Sequence, residues 1–145
     1  MSFYLWNRKL EADVNLELAR ERGIPVVAAE DDPQLGRLRD QIFFADVILD
    51  ALLGTGRSRP ITGTLQSILG IANNARAARR LVMALDLPTG VNADNGAADP
   101  SALRADVTIT LGCPKLGLFL PPGAEYVGKL VVADMQAVKR SDRDD

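Results

Sequence analysis

Two apolar runs in this chain each end in an aspartate, and the first opens into a loop of residue types that hold an anion. In the first, Val47, Ile48 and Leu49 lead into Asp50-Ala51-Leu52-Leu53-Gly54-Thr55-Gly56-Arg57-Ser58-Arg59-Pro60. Gly54 and Gly56 would let the backbone take positive φ and approach a ligand closely. Thr55 and Ser58 add hydroxyls, and Arg57 and Arg59 add fork-shaped guanidinium donors suited to phosphate. In the second, Leu81-Val82-Met83-Ala84-Leu85-Asp86 runs into Leu87-Pro88-Thr89-Gly90. Pro88 keeps Leu87 extended and Gly90 permits a sharp exit, so Asp86 and Thr89 are expected on a stiff corner.

Neither common phosphate motif matches the first corner. A dinucleotide fingerprint wants a third glycine where Arg59 stands, and a P-loop wants a glycine-lysine pair followed by Ser or Thr. Residue types alone therefore leave two readings open, a phosphate-handling turn and a solvated turn in which Asp50 ends its strand by bonding nearby amides. Asp86 is likewise open between a functional acid and a turn-forming aspartate. A third turn, Gly112-Cys113-Pro114-Lys115-Leu116-Gly117, follows another apolar run. Lys115 would contact a ligand or balance charge near the corner, or else be a solvated turn lysine. Cys113 has no histidine to activate it and is expected as a small packed side chain.

The elements that must carry these corners alternate along the chain. Ser2 to Trp6 reads as a strand. Leu10, Val14 and Leu18 form a stripe over Leu10 to Arg20, an amphipathic helix ended by Gly23. Ile24 to Ala29 is a second strand, and Asp32-Pro33 starts a helix running to about Gln41. Ala45 to Asp50 is the third strand. Leu65, Ile68, Leu69 and Ala72 share a helical face capped by Thr64, with Asn73-Asn74 toward its end. Leu81 to Asp86 is the fourth strand, 91 to 104 a loop, and Ala105 to Leu111 the fifth strand. Leu118 to Leu120 is a short extended piece, and Lys129 to Ala133 the last strand. Unbroken apolar runs fit strands covered on both faces. This order predicts an α/β fold, a three-layer α/β/α Rossmann-like domain with a mostly parallel sheet, whose ligands bind at the strands' C-terminal ends.

The chain has 145 residues, 47% of them hydrophobic, enough for one domain with a sizeable core. A net charge of −2 without long basic runs argues against a nucleic-acid or membrane-surface role. Arg76, Arg79 and Arg80 read as a solvated helix end. One cysteine and no histidine exclude an intrachain disulfide framework and a zinc-type cluster. No apolar stretch approaches the ~20 residues of a membrane span, so a soluble, cytoplasmic protein is expected.

At the three corners the chain resembles the NAD(P)H-hydrate epimerase family. The resemblance runs from Phe3 to about Asp134. It rests on Asp50 to Pro60, on Ala84-Leu85-Asp86-Leu87-Pro88-Thr89-Gly90 with Asn92-Ala93-Asp94 behind it, and on Pro114-Lys115 with Gly117. It implies a domain over 1–135 followed by a charged tail or linker over 136–145. It implies a repair enzyme that interconverts the R and S epimers of hydrated NADH and NADPH with the help of a potassium ion. Residue by residue, it makes Asp50 and Thr89 potassium ligands, Gly54, Thr55, Gly56, Arg57, Ser58, Arg59 and Pro60 substrate contacts, and Asp86 a substrate-contacting acid with a catalytic role. Threonine at 89 keeps the oxygen of the family's more usual serine. To act as an acid near neutrality Asp86 would need desolvation, which Leu85 and Leu87 could provide.

Family members begin with a helical region, a strand and an Asn-Gly-rich phosphate cradle that would precede Ser2. The resemblance thus implies an N-terminally truncated domain, at most weakly active as it stands. It also implies a partner, a fused or separate dehydratase, and leaves a homodimer open. A non-catalytic nucleotide- or protein-binding module, or an inert structural remnant, is the alternative.

Overall fold

Every strand-to-strand pairing in the computed structural model is parallel. The structure describes residues 1–7, 13–55 and 59–135. Strands β1 (Phe3–Leu5) and β2 (Val26–Ala28) form one pair. Strands β3 (Val47–Asp50), β4 (Leu81–Leu85), β5 (Val107–Leu111) and β6 (Lys129–Ala133) form a four-stranded sheet in that order. Helices α1 (Val14–Glu21), α2 (Gly36–Phe44) and α3 (Gly63–Ala77) make the crossovers of an α/β, Rossmann-like fold. The strands and their direction are those expected, but they belong to two hydrogen-bonded sheets rather than one.

Helix α1 begins after Asp13, whose carboxylate accepts from the amides of Asn15 and Leu16 at 3.1 and 3.2 Å. Leu10 lies outside the described residues. The expected apolar stripe is on the wrong side: Val14 is 68% exposed and Leu18 42%, while Leu16 and Ala19 are buried. A small alanine facing inward carries little weight in an apolar pattern, which hid the true inner face. Asp32 does cap the next helix, accepting from the amides of Arg37 and Leu38 at 3.2 and 3.1 Å. The helix itself starts at Gly36, because the preceding residues turn first, with Leu35 at φ 54 and its amide on the carbonyl of Asp32.

Helix α3 buries Leu65, Ile68, Leu69 and Ala72 as predicted. Thr62, not Thr64, stands at its start, without a side-chain cap bond. It runs past Asn73-Asn74, because the half-buried Asn73 side chain bonds another segment rather than its own helix. It donates to the carbonyl of Ala102 at 3.1 Å and accepts from the amide of Arg104 at 2.9 Å. Leu69 joins Val82 of β4 and Leu103 in one core cluster, with Trp6, Ile48 and Leu52 packed against it. A second cluster sets Leu35 and Leu38 against Ile68. A third, Leu87, Val91, Leu118 and Val127, fixes the turns that follow β4 and β5.

Other expectations are corrected. Strand β3 is covered on one face only, since Val47 and Leu49 are 49% and 58% exposed. Residues 116–118 form a 3-10 turn where an extended segment was expected to begin. The arginines after α3 are not merely solvated: Arg76 Nε donates to Asp106 at 2.8 Å and Arg80 Nη2 to the carbonyl of Phe43 at 2.6 Å. Among the described residues no helix is long and apolar enough to cross a membrane.

Candidate functional site at the strand ends

Parallel pairing puts the C-terminal ends of β3, β4 and β5 side by side. Asp50, the last residue of β3, stands in register with Ala84 of β4. Thr89 then folds back over it. The amide of Thr89 donates to Asp50 Oδ2 at 2.8 Å, and its hydroxyl donates to Asp50 Oδ1 at 2.7 Å. Leu52 donates its amide to the same carboxylate at 3.2 Å, and Leu53 donates to the Thr89 hydroxyl at 3.2 Å. The first two corners are thus tied together through side chains that the sequence singled out. Gly90 makes the fold-back possible. Its φ is +97, and a Cβ there would lie 2.8 Å from the Cα of Ala102.

Asp50 is 4% exposed and Thr89 fully buried. Burial pushes the Asp50 carboxyl above its ordinary value, against the pull of the Thr89 amide and hydroxyl and the Leu52 amide. Its partners among the described residues are all neutral donors, so a buried carboxylate sits beside a hydroxyl oxygen. Oxygen donors of this kind suit a hard cation. Among the described residues no three His, Cys, Asp or Glu side chains converge as metal ligands.

Asp86 faces the opposite way, toward β5. Its Oδ1 accepts from the amide of Leu111 at 3.2 Å, from the hydroxyl of Thr110 at 3.5 Å and from the ammonium of Lys115. Burial alone would raise this carboxyl. The Lys115 hydrogen bond, the Leu111 amide and the Lys115 charge outweigh it and hold Asp86 below its ordinary value of 3.8. The apolar neighbours Leu85 and Leu87 therefore do not make Asp86 an acid near neutrality, contrary to expectation; it is a carboxylate. It also holds φ at 72, a left-handed conformation that costs a non-glycine residue roughly 1–3 kcal/mol and tends to mark functional corners.

Sequence reasoning left Lys115 open between a ligand contact, charge balance near the corner and a solvated turn lysine without naming Asp86 as its partner, and it did not foresee Thr110, which is fully buried and points from β5. The signal available was the Pro114-Lys115 turn at a strand end, and a turn lysine is usually solvated. Cys113 beside it is exposed rather than packed.

The arginine-bearing loop is described only in part, with Gly56, Arg57 and Ser58 outside the described residues. Gly54, Thr55, Arg59 and Pro60 are exposed. Gly54 does not take positive φ, and a Cβ there would meet nothing within 4 Å. The loop's return is anchored where the amide of Ile61 donates to Asp99 Oδ2 at 2.9 Å. Arg59 has no hydrogen-bond or ion-pair partner among the described residues. A surface cavity lined by Asn73, Arg76, Arg104 and Tyr126 lies at the other end of the strands. The chemistry of the side chains, not a cavity, marks the C-terminal edge.

Residues 3–117 match the family model described as YjeF-related protein N-terminus. The chain is similar to the NAD(P)H-hydrate epimerase of Oenococcus oeni, at 36% identity over 125 residues, covering 86% of this chain and 54% of that protein. It is also similar to the bifunctional NAD(P)H-hydrate repair enzyme Nnr of Thermofilum pendens. There the identity is 39% over 118 residues, covering 81% of this chain and 22% of that protein. In fold it is similar to the crystal structure of yeast ynu0, with a TM-score of 0.66 and 17% identity, covering 90% of this chain and 52% of that one. The chain thus spans about half the length of the first of these relatives, and less of the second.

Proposed function

Because this chain belongs to the family of YjeF-related protein N-termini, we propose that it serves metabolite repair as an NAD(P)H-hydrate epimerase, an isomerase that interconverts the R and S epimers of hydrated NADH and NADPH. The observation that carries the reading is the placement of two unlike carboxylates at neighbouring strand ends. Asp50 is buried with Thr89, and Asp86 is ionised at the corner.

Epimerisation needs the hydroxyl to leave the hydrated ring carbon and return to the opposite face. The departing hydroxyl takes a proton from solvent and leaves as water; a water then adds to the opposite face and gives its proton to the Asp86 carboxylate, which returns it to solvent, so the cycle is neutral overall. Gly54 to Pro60 would contact the dinucleotide, with Arg59 paired to its phosphates. The buried carboxylate and hydroxyl of Asp50 and Thr89 fit a potassium ion, which when bound would supply a fixed positive charge beside the anionic substrate. A dehydratase, in the same chain or another, would consume one epimer, as the bifunctional relatives suggest.

The test follows interconversion of the two epimers by chromatography. A protein carrying the whole family domain is expected to equilibrate them, and its Asp86→Asn variant to do so about 100-fold more slowly or worse, while the 145 residues alone are expected to be at most weakly active. Binding of the hydrates without interconversion would favour a non-catalytic nucleotide-binding module.

A further inference from the structure

We propose that Lys115 is the positioning residue for Asp86, anchoring the carboxylate at the end of β4 from a turn that belongs to the end of β5. The inference rests on the reading of Asp86 given above. The Lys115 ammonium binds three oxygens on two elements: Asp86 Oδ1, the Thr110 hydroxyl at 3.4 Å and the carbonyl of Leu111 at 3.0 Å. Its donors are spent on the protein, and its side chain is 21% exposed. A solvated turn lysine spends its donors on water. Lys115 has exchanged them for a fixed place.

That place is set by the backbone around it. Lys115 opens the 3-10 turn over Leu116–Leu118. The amide of Gly117 donates to the carbonyl of Ala93 at 2.7 Å, and a Cβ on Gly117 would lie 1.9 Å from the carbonyl oxygen of Asn92. The turn is therefore clamped to the segment that follows Thr89, and Lys115 is held at a fixed distance from Asp86. Among the described residues Lys115 is the charged side chain in contact with Asp86. Its other partners, the Thr110 hydroxyl and the Leu111 amide, are neutral.

An aspartate in left-handed backbone has a choice of directions for its carboxylate. The lysine removes that choice, and it offsets a negative charge that would otherwise repel a phosphate-bearing substrate.

Two measurements on the wild type, Lys115→Met and Lys115→Arg test this together. The first is the pH titration of the Asp86 carboxyl carbon by NMR. Its midpoint is expected to move up in Lys115→Met and to stay near wild type in Lys115→Arg. The second is a double-mutant cycle on epimerisation. Lys115→Met is expected to lower kcat roughly 10- to 100-fold with KM within about threefold, and Lys115→Arg to recover most of it. Added to Asp86→Asn, Lys115→Met should cost less than about twofold. An unmoved carboxyl midpoint, or an equal cost of Lys115→Met in both backgrounds, would overturn the proposal. A protein carrying the whole family domain that shows the midpoint shift but no epimerisation in its wild-type form would refute the epimerase reading and leave the positioning role standing.

Discussion

Asp50 and Asp86 lie at neighbouring strand ends but titrate in opposite directions, and this gives each a distinct signature. For Asp86 the folded value is lowered. Its contribution to stability is present above the ordinary 3.8 and is lost as pH falls through the folded value. For Asp50 the folded value is raised, so its contribution is present at low pH and is lost as pH rises through that value. Denaturant unfolding between pH 7 and pH 3 is therefore expected to show Asp86→Asn losing less stability on acidification than wild type, and Asp50→Asn losing more. The same pair should separate in potassium. If Asp50 holds potassium as proposed, Asp50→Asn removes a ligand charge, so it should need more potassium for full turnover and be partly rescued by adding it. Asp86→Asn should not be rescued. The potassium-induced rise in melting temperature expected of the wild type should likewise shrink in Asp50→Asn and persist in Asp86→Asn. Equal rescue of both variants, or of neither, would remove the division of roles between the two corners.

The turns, more than the strands, decide where these groups sit, and their glycines are not equivalent. Gly117 has no room for a side chain, whereas Gly54 is open and lies outside left-handed backbone. Gly117→Ala is expected to cost at least about 3 kcal/mol of stability, and Gly54→Ala to stay within about 1 kcal/mol of wild type, both read from denaturant midpoints. The strands themselves were legible in sequence because apolar runs ending in Asp50, Asp86 and Gly112 leave little else to be. Helix α3 was legible because its four inward residues are large enough to dominate the pattern. Helix α1 was not, since its buried face rests on Leu16 and Ala19 while Val14 and Leu18 face out. At the site, strand order placed Asp50 and Asp86 at strand ends, and only the family resemblance linked Asp50 with Thr89. The ion pair of Asp86 with Lys115 joins residues 29 apart through a turn whose direction depends on Gly117, and no periodicity encodes that.

On the scale of the whole molecule, the sheet is interrupted: β1 and β2 share three register pairs and β5 with β6 five, and among the described residues no ladder joins the two groups. A two-stranded unit is marginal by itself, and here it depends on Tyr4 and Trp6 packing against the clusters built on α2 and α3. The consequence lies in how the native state opens. Amide protons of Val26–Ala28 are expected to exchange with deuterated solvent through a local opening that spares the rest. Those of Val107–Leu111, between two paired strands, should exchange only when the protein unfolds globally. Because Asp50, Asp86 and Lys115 are all held by the four-stranded sheet, the molecule can loosen at β1 and β2 without disturbing the strand ends where the chemistry is placed.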